Sequence, residues 1–389
     1  MTDKRLIYVL NHYSARSASH FNHVLPLLEA LVRRGIEIRL LIEKADDPLF
    51  LGTGIEVRHP RTPLHPALRW MWLVREVRRA RAKGFSTAFV RIASFSALAT
   101  ILALGRRGRV YFWLSGTTLE FDKSQPRSIN KLKWWARTYF PTRLVWRYCH
   151  TFVTGPEHMA AYYASHGVRR EKIRVLYNDV VVRRFQGTTP NARESARAAL
   201  REQLQIPEHS IVLLFVHRLS PVRRTLDYLP YALHHLRRLD LLDDTHLLIV
   251  GGGPDLPKLM DQARDGGLRR HVHSIGEQPN TEVEKLYAAA DVFIQPSHAE
   301  GFPRVMLEAM ASGLPVVTTD AGGSGDILGR LQQRYVVSKD DPHAFADRLA
   351  MLLTERDRWQ ELRAENSRRV QDFDTLKVAR MYEEVLFDG

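Results

Sequence analysis

The sequence predicts two doubly wound α/β domains in tandem, and three observations carry that reading. Its 389 residues suffice for two separate cores at roughly 100–200 residues per domain. Short apolar runs alternate with helical patterns along both halves, as in parallel sheets covered on both faces. The composition, 44% apolar and 26% charged, is that of a globular chain. No run reaches the ~18 consecutive apolar residues of a membrane span; the longest, Phe95–Leu104, is about half that. The opening MTDKRLIYVLN lacks the apolar core and cleavage site of a signal peptide. A single cysteine, Cys149, excludes an intrachain disulfide and a Cys-cluster metal site. The expected location is the cytoplasm.

In the first half, strands are expected at Arg5–Asn11, Ile36–Glu43, Ile55–His59, Thr87–Ile92, Val110–Leu114, Thr151–Thr154 and Ile173–Leu176. Helices fall between most of them, including His20–Arg33 and Pro66–Lys83. In the second half the strands are Ile211–His217, His246–Val250, Val272–Ile275, Asp291–Gln295 and Pro315–Thr319, the first four each followed by a helical pattern. The polar stretch Gln186–Ser195, with Gly and Pro, reads as an interdomain linker, so the domains are expected at 1–185 and 186–371. Two such domains bind ligand at the carboxyl ends of their strands, in the cleft between them.

The most informative stretch is Gln295–Asp326, QPSHAEGFPRVMLEAMASGLPVVTTDAGGSGD. A buried strand ends at Gln295 and a loop runs to Gly301. Pro303 suits a first helical position, Gly313 the residue after the helix end, and Pro315 prevents continuation. The N–H groups of Arg304 and Val305 are then free donors at a helix start, favourable for a diphosphate. Glu300 precedes that helix and Glu308 lies on its second turn. Two carboxylates beside a phosphate-binding helix end call for hydroxyl partners, as sugars supply.

This stretch resembles the E-x7-E segment of the GT-B glycosyltransferases, specifically retaining family 4 (glycosyltransferase group 1), with Glu300 and Glu308 in its two Glu positions. His217–Arg224, HRLSPVRR, is similar to the family's GRL-x-x-x-KG, with Arg218 in the Arg position and Arg223 in the Lys position. Val250–Leu256, VGGGPDL, resembles its G-x-G-P turn, and Gly276–Ser297 follows its spacing to the ADVF-x-x-PS strand. The likeness covers the second half; in the first it is architectural. It implies the GT-B fold, two Rossmann-like domains facing across a cleft, with a C-terminal helix in 372–389 crossing back to the first domain. It further implies that Glu308 holds ribose hydroxyls and Glu300 the donor-sugar hydroxyls. Arg218 and Arg223 would clamp the diphosphate and stabilise the departing nucleotide. Backbone near Gln278 would meet the base; Gly301, Phe302 and, from the first loop, Ser17 would complete the donor contacts. Glu300, Arg218 and Arg223 are the expected catalytic group. The implied reaction transfers a hexose-type sugar from a nucleotide-diphosphate sugar with retention of configuration. It needs no cofactor and no metal, two cations standing in for Mg²⁺.

Several positions depart from the family pattern. Arg223 replaces a Lys point charge by a planar fork, and Arg224 stands where a Gly is usual. Ser115–Gly116 follow the strand that in the family often precedes a His, and Ser cannot act as the same neutral-pH base. The leaving phosphate is then the implied base. Asn11–Phe21 lacks the Gly-rich first loop and offers Ser17, Ala18 and His20 instead.

The net charge of +14 is unevenly placed. Residues 1–180 hold 30 Lys/Arg against 13 Asp/Glu, whereas 181–389 hold 27 against 30. A basic first half points to a polyanion. In Arg69–Lys83, Trp70, Leu73, Val74 and Val77 mark one face, and Arg75, Arg78, Arg79 and Arg81 occupy much of the rest. In Lys131–Tyr148, one face is Leu132, Trp135, Ala136 and Tyr139. Trp134 falls opposite, among Lys131, Lys133 and Arg137, and Pro141 interrupts the helix. Tryptophan amid cations suits a helix lying in an anionic membrane interface, so peripheral attachment at the cytoplasmic membrane face and a lipid-linked or polysaccharide-precursor acceptor are expected. A second reading keeps the donor but uses a soluble acceptor. A third, a basic membrane- or nucleic-acid-binding protein without transferase activity, lacks strand-borne stacking aromatics, and no nucleic-acid partner is expected.

Overall fold

The computed structural model describes residues 4–14, 24–46, 54–62, 64–116, 134–186 and 189–388. They form two compact units, Met1–Tyr177 with Thr375–Gly389, and Asn178–Asp374. In the first, β1 (Arg5–Leu10), α1 (Val24–Arg33), β2 (Glu37–Ile42), β3 (Ile55–Arg58), α2 (Pro66–Ala82), β4 (Thr87–Arg91) and α3 (Ser94–Leu104) lead to β5 (Arg109–Trp113). Next come α4 (Phe140–Tyr148), β6 (Thr151–Thr154), α5 (Glu157–Ser165) and β7 (Ile173–Val175). The sheet is parallel in the order β3-β2-β1-β4-β5-β6-β7. Strands such as β1 are apolar without alternation because both faces are covered. Leu73, Ala99, Trp146 and Tyr163 of α2 to α5 pack on one face. Leu28 of α1 packs on the other, with Val378 and Tyr382 of the returning α15 (Thr375–Glu383).

The second unit carries α6 (Val182–Gln186), α7 (Pro190–Leu204), β8 (Ile211–Val216), α8 (Leu229–Arg238), β9 (Thr245–Val250), α9 (Leu256–Asp265), β10 (Val272–Ser274) and α10 (Val283–Ala289). It continues with β11 (Val292–Gln295), α11 (Arg304–Ala311), β12 (Val316–Thr319), α12 (Ser324–Ile327), β13 (Val336–Val337), α13 (Pro342–Thr354) and α14 (Trp359–Arg369). Its parallel sheet runs β10-β9-β8-β11-β12-β13. Strand order reverses between β8 and β11, so the loops leaving those two strands flank a topological switch point.

The expected borders and several local readings need correction. The first division falls at Tyr177/Asn178, ahead of 185/186, because the intervening residues are tied to the second unit. Asn178 Nδ2 donates to the Phe302 carbonyl (3.0 Å), the Val180 N–H to that of Phe373 (3.0 Å), and Phe185 packs edge-on against Tyr287. The second division lies at Asp374/Thr375, ahead of which Asp374 is held by the Val182 N–H at 3.3 Å. The expected linker is mostly helix: Thr189 Oγ1 caps α7 by accepting the Ala192 N–H, with Pro190 in the first turn. Pro141 opens α4 after a π-helical turn, Trp135–Tyr139, instead of interrupting a helix. That turn rotates the register: Trp135 is exposed and stacked on Phe140, Ala136 is also exposed, and Trp134 is half-buried against Tyr139. Ser17, His20, Lys131, Leu132 and Lys133 lie outside the described residues.

Asp291 ties α7 to the sheet. Its buried carboxylate accepts from Arg197 (2.5 Å), Arg201 (3.0 Å) and the Val212 N–H (2.9 Å). Asp291→Ala is therefore expected to lower stability by about 3–5 kcal/mol, because buried guanidinium charge loses its counter-ion. Urea unfolding measures it.

Candidate functional site

Two loops of the second unit meet at the switch point. The first, His217–Arg224, leaves β8 and lies against the glycine turn after β9. The His217 N–H donates to the Val250 carbonyl (3.0 Å) and the Leu219 N–H to that of Gly252 (2.8 Å). A Cβ on Gly251 would stand 2.2 Å from the His217 oxygen, and one on Gly253 2.1 Å from the Leu219 oxygen. Both glycines have φ near +130°, so the GGGP turn needs glycine for contact and for conformation. Arg224, in the family's Gly position, adopts φ 52° and ψ 30°. The backbone there is left-handed, which explains why Gly is usual; Arg224 is held by an ion pair to Asp227 (2.8 Å).

The second loop runs from β11 to α11. Ser297 N–H donates to Thr319 Oγ1 (3.1 Å), whose hydroxyl in turn donates to the Ser297 carbonyl, fixing the loop to β12. Gly323 N–H donates to the Gly301 carbonyl (2.9 Å), and a Cβ on Gly322 would come within 2.6 Å of the Glu300 carbonyl. Pro303 is the N-cap of α11 and not its first helical residue, and no side chain caps the helix start. Its far end closes as expected: Gly313 has φ 73°, with Gly313 N–H to Met310 O and Leu314 N–H to Ala309 O, a Schellman motif.

Three predicted or neighbouring side chains meet across these loops. Glu300, only 7% exposed, accepts from Arg223 Nη1 and lies 3.1 Å from His217 Nε2. Arg223 also donates to the Ala299 carbonyl (3.1 Å). His217 Nδ1 accepts the Arg218 N–H (2.7 Å), an assignment that leaves the ring proton on Nε2 to donate to Glu300. Burial alone pushes the Glu300 carboxyl up, but the Arg223 guanidinium and His217 outweigh it and hold it well below the usual carboxylate range. Arg218 is exposed and makes no side-chain ion pair or hydrogen bond among the described residues.

The remaining candidates are placed as follows. Glu308, half-buried on α11, accepts from the Tyr287 hydroxyl (3.0 Å); burial raises its carboxyl, opposed by Arg304. Arg304 lies 3.6 Å from buried Asp179, and its N–H and that of Val305 open α11 without an i−4 partner inside it. The Phe302 ring meets Phe373 and its carbonyl accepts from Asn178. Gln278 Nε2 donates to the Ile275 carbonyl (2.6 Å). In the first unit, the Ser115 hydroxyl donates to the Gly155 carbonyl (2.5 Å). The sequence holds one Asp-x-Asp pair, and it is engaged in structure: Asp372 pairs with Arg369 (2.7 Å) and Asp374 receives the Val182 N–H.

The family model for glycosyl transferases group 1 matches residues 196–370, and that for glycosyltransferase family 4 matches residues 21–184. The chain belongs to the group 1, family 4 glycosyltransferases. A GDP-mannose-dependent alpha-(1-6)-phosphatidylinositol monomannoside mannosyltransferase of Mycobacterium tuberculosis is 36% identical over 171 residues, 42% of this chain and 43% of that protein. A D-inositol 3-phosphate glycosyltransferase of Corynebacterium urealyticum is 34% identical over 200 residues, 50% and 45% of the two chains. The match thus spans less than half the length of these relatives. Anabaena Alr3699/HepE with UDP has a TM-score of 0.73 at 19% identity, covering 99% of this chain and 100% of that one. WaaG, involved in lipopolysaccharide biosynthesis, also gives 0.73, at 17% identity and the same coverage. These likenesses establish the GT-B fold.

Sequence reasoning about this family 4 glycosyltransferase missed His217 and Tyr287, which hold the two glutamates. His217 stands in the quoted HRLSPVRR motif, one residue before Arg218; Tyr287 sits on a helix that carries no motif. Glu300 also implies an acid response. Its stabilising effect is complete above the ordinary Glu value of 4.5 and is lost as pH falls below it. Glu300→Gln should therefore be less stable than wild type near neutrality, with the gap narrowing toward about pH 3. Urea midpoints across pH measure this, and a constant gap contradicts it.

Proposed function

We propose that the chain is a metal-independent, retaining hexosyltransferase that uses a nucleotide-diphosphate sugar. The observation carrying this reading is the meeting of Arg223, His217 and Glu300 at a strand-order reversal, with exposed Arg218 on the same loop and the start of α11 left without a side-chain cap. An exposed cation and helix N–H groups suit a diphosphate. Arg223 gives Nη1 to Glu300, and its planar fork has further N–H groups that would bind a leaving phosphate oxygen. Glu300, kept ionised by Arg223 and His217, is an acceptor for sugar hydroxyls. Glu308, with one oxygen anchored by Tyr287, is an acceptor for ribose hydroxyls. Charge developing on the departing diphosphate meets cations fixed in advance, which lowers the barrier without reorganisation. The departing phosphate oxygen then takes the acceptor proton on the same face of the sugar.

We further infer a lipid-linked or polysaccharide-precursor acceptor at the inner face of the cell membrane. Support comes from the outer surface of α2 and α3. Trp70, Met71, Val74 and Leu102 line a groove of about 580 Å³ together with Arg75, Arg78 and Arg79. Met71 is 61% and Leu102 56% exposed, an apolar strip edged by cations. Among the described residues no helix is long and apolar enough to cross a membrane. The phosphatidylinositol mannoside named for the mycobacterial relative is a lipid acceptor. A soluble acceptor is the second reading, favoured by the inositol phosphate named for the corynebacterial relative.

Isothermal titration with UDP, GDP, ADP and CMP, without added metal, is expected to find one tight ligand. Arg218→Ala should weaken it by about 10–100-fold, the equivalent of one charge-assisted hydrogen bond, and Glu308→Ala by a similar factor. Unchanged affinity in both contradicts the site. Sedimentation with phosphatidylglycerol vesicles should be lost at high salt. Replacing Arg75, Arg78 and Arg79 by Ala should weaken it about 100-fold, at ~1 kcal/mol per cation. Salt-independent or absent binding favours the soluble acceptor.

A further inference from the structure

In the second unit, α6, α7, α10, the end of α11 and α14 line a half-open cavity of about 330 Å³, with Arg193, Ser312, Arg363 and Ser367 among its walls. Charge around it is unbalanced. Arg193, Arg197, Arg201 and Arg363 surround one carboxylate, Asp291, and Arg197 and Arg201 take its two oxygens. Arg193 gives Nε to the Ala288 carbonyl (3.2 Å) and Nη2 to that of Ser312 (3.2 Å). Neither Arg193 nor Arg363 has a carboxylate partner among the described residues. Arg363 Nε and Ser312 Oγ are buried with no hydrogen-bond partner among the described residues. Burial and the neighbouring guanidinium groups push both Arg193 and Arg363 below their ordinary values, a sign of cation crowding. Buried donors left unmade are rare in folded proteins and call for an acceptor.

We propose that this cavity binds the phosphate group of a small phosphorylated molecule. Two guanidinium groups and a hydroxyl supply three donor directions, matching the three oxygens of a phosphate monoester. The volume is at the lower end for small-molecule pockets, which suits a metabolite and excludes a polymer. The carbonyl end of α11 would by itself repel an anion, but Arg193 already covers the Ser312 carbonyl. This end lies about 12 Å along the helix from Arg304, so the ligand is separate from the nucleotide sugar. The inference does not rest on the proposed donor chemistry.

The test is thermal unfolding with inorganic phosphate against chloride at matched ionic strength, on wild type, Arg363→Gln, Ser312→Ala and Arg218→Gln. Phosphate should raise the melting temperature of wild type and still raise that of Arg218→Gln, which removes only what the nucleotide site contributes. The rise should vanish in Arg363→Gln and shrink in Ser312→Ala. A rise lost in Arg218→Gln alone, or no rise beyond chloride in wild type, overturns the proposal. Should Arg363→Gln fail to fold, Ser312→Ala decides: an undiminished rise there also overturns it.

Discussion

The candidate site depends on three main-chain segments approaching closer than any side chain permits. Gly251 and Gly253 sit against the carbonyls of His217 and Leu219, and Gly322 against that of Glu300. With no Cβ at these points, the loops leaving β8 and β11 are pressed into fixed positions by the turns after β9 and β12. Only then can Arg223 and His217, on one loop, reach Glu300 on the other. A buried carboxylate flanked by a cation and a hydrogen-bond donor is stable only if all three are held in place, so backbone packing and site electrostatics are one constraint.

Much of this was legible in the sequence. The strands from β1 to β12 fall within a residue or two of the apolar runs, because parallel strands covered on both faces are continuous apolar segments. The end of α11 was fixed by Gly313 and Pro315, residues whose backbone preferences leave little choice. What escaped notice had weaker signals. Two-residue β13 is too short to show a period. Thr189–Pro190 begins a helix, yet its polar surroundings read as a linker. The π-helical turn before Pro141 shifts which tryptophan is exposed, an effect that a regular 3.6-residue period cannot reveal. At the site, both glutamates were visible through motif order, whereas Tyr287 is a long-range partner chosen by packing. The pairing of Arg223 with Glu300 joins two motifs that the sequence shows only separately.

Charge organises the two units differently. In the first, arginines ring an exposed apolar strip on α2 and α3, an arrangement suited to a surface of opposite charge. In the second, which is nearly neutral overall, cations concentrate at two interior places: Arg223 beside Glu300, and the four arginines around Asp291. Net charge over the sequence reports only the first of these, because carboxylates elsewhere in the second half cancel the sum.

The central claim is that the loops after β8 and β11 form a nucleotide-diphosphate site. Hydrogen–deuterium exchange with and without the preferred nucleoside diphosphate tests it most directly. The account predicts slowed exchange at residues 217–224 and 300–305, with the turn at 322–326 following. Unchanged exchange in these segments at saturating ligand, or protection confined to other surfaces, would contradict it.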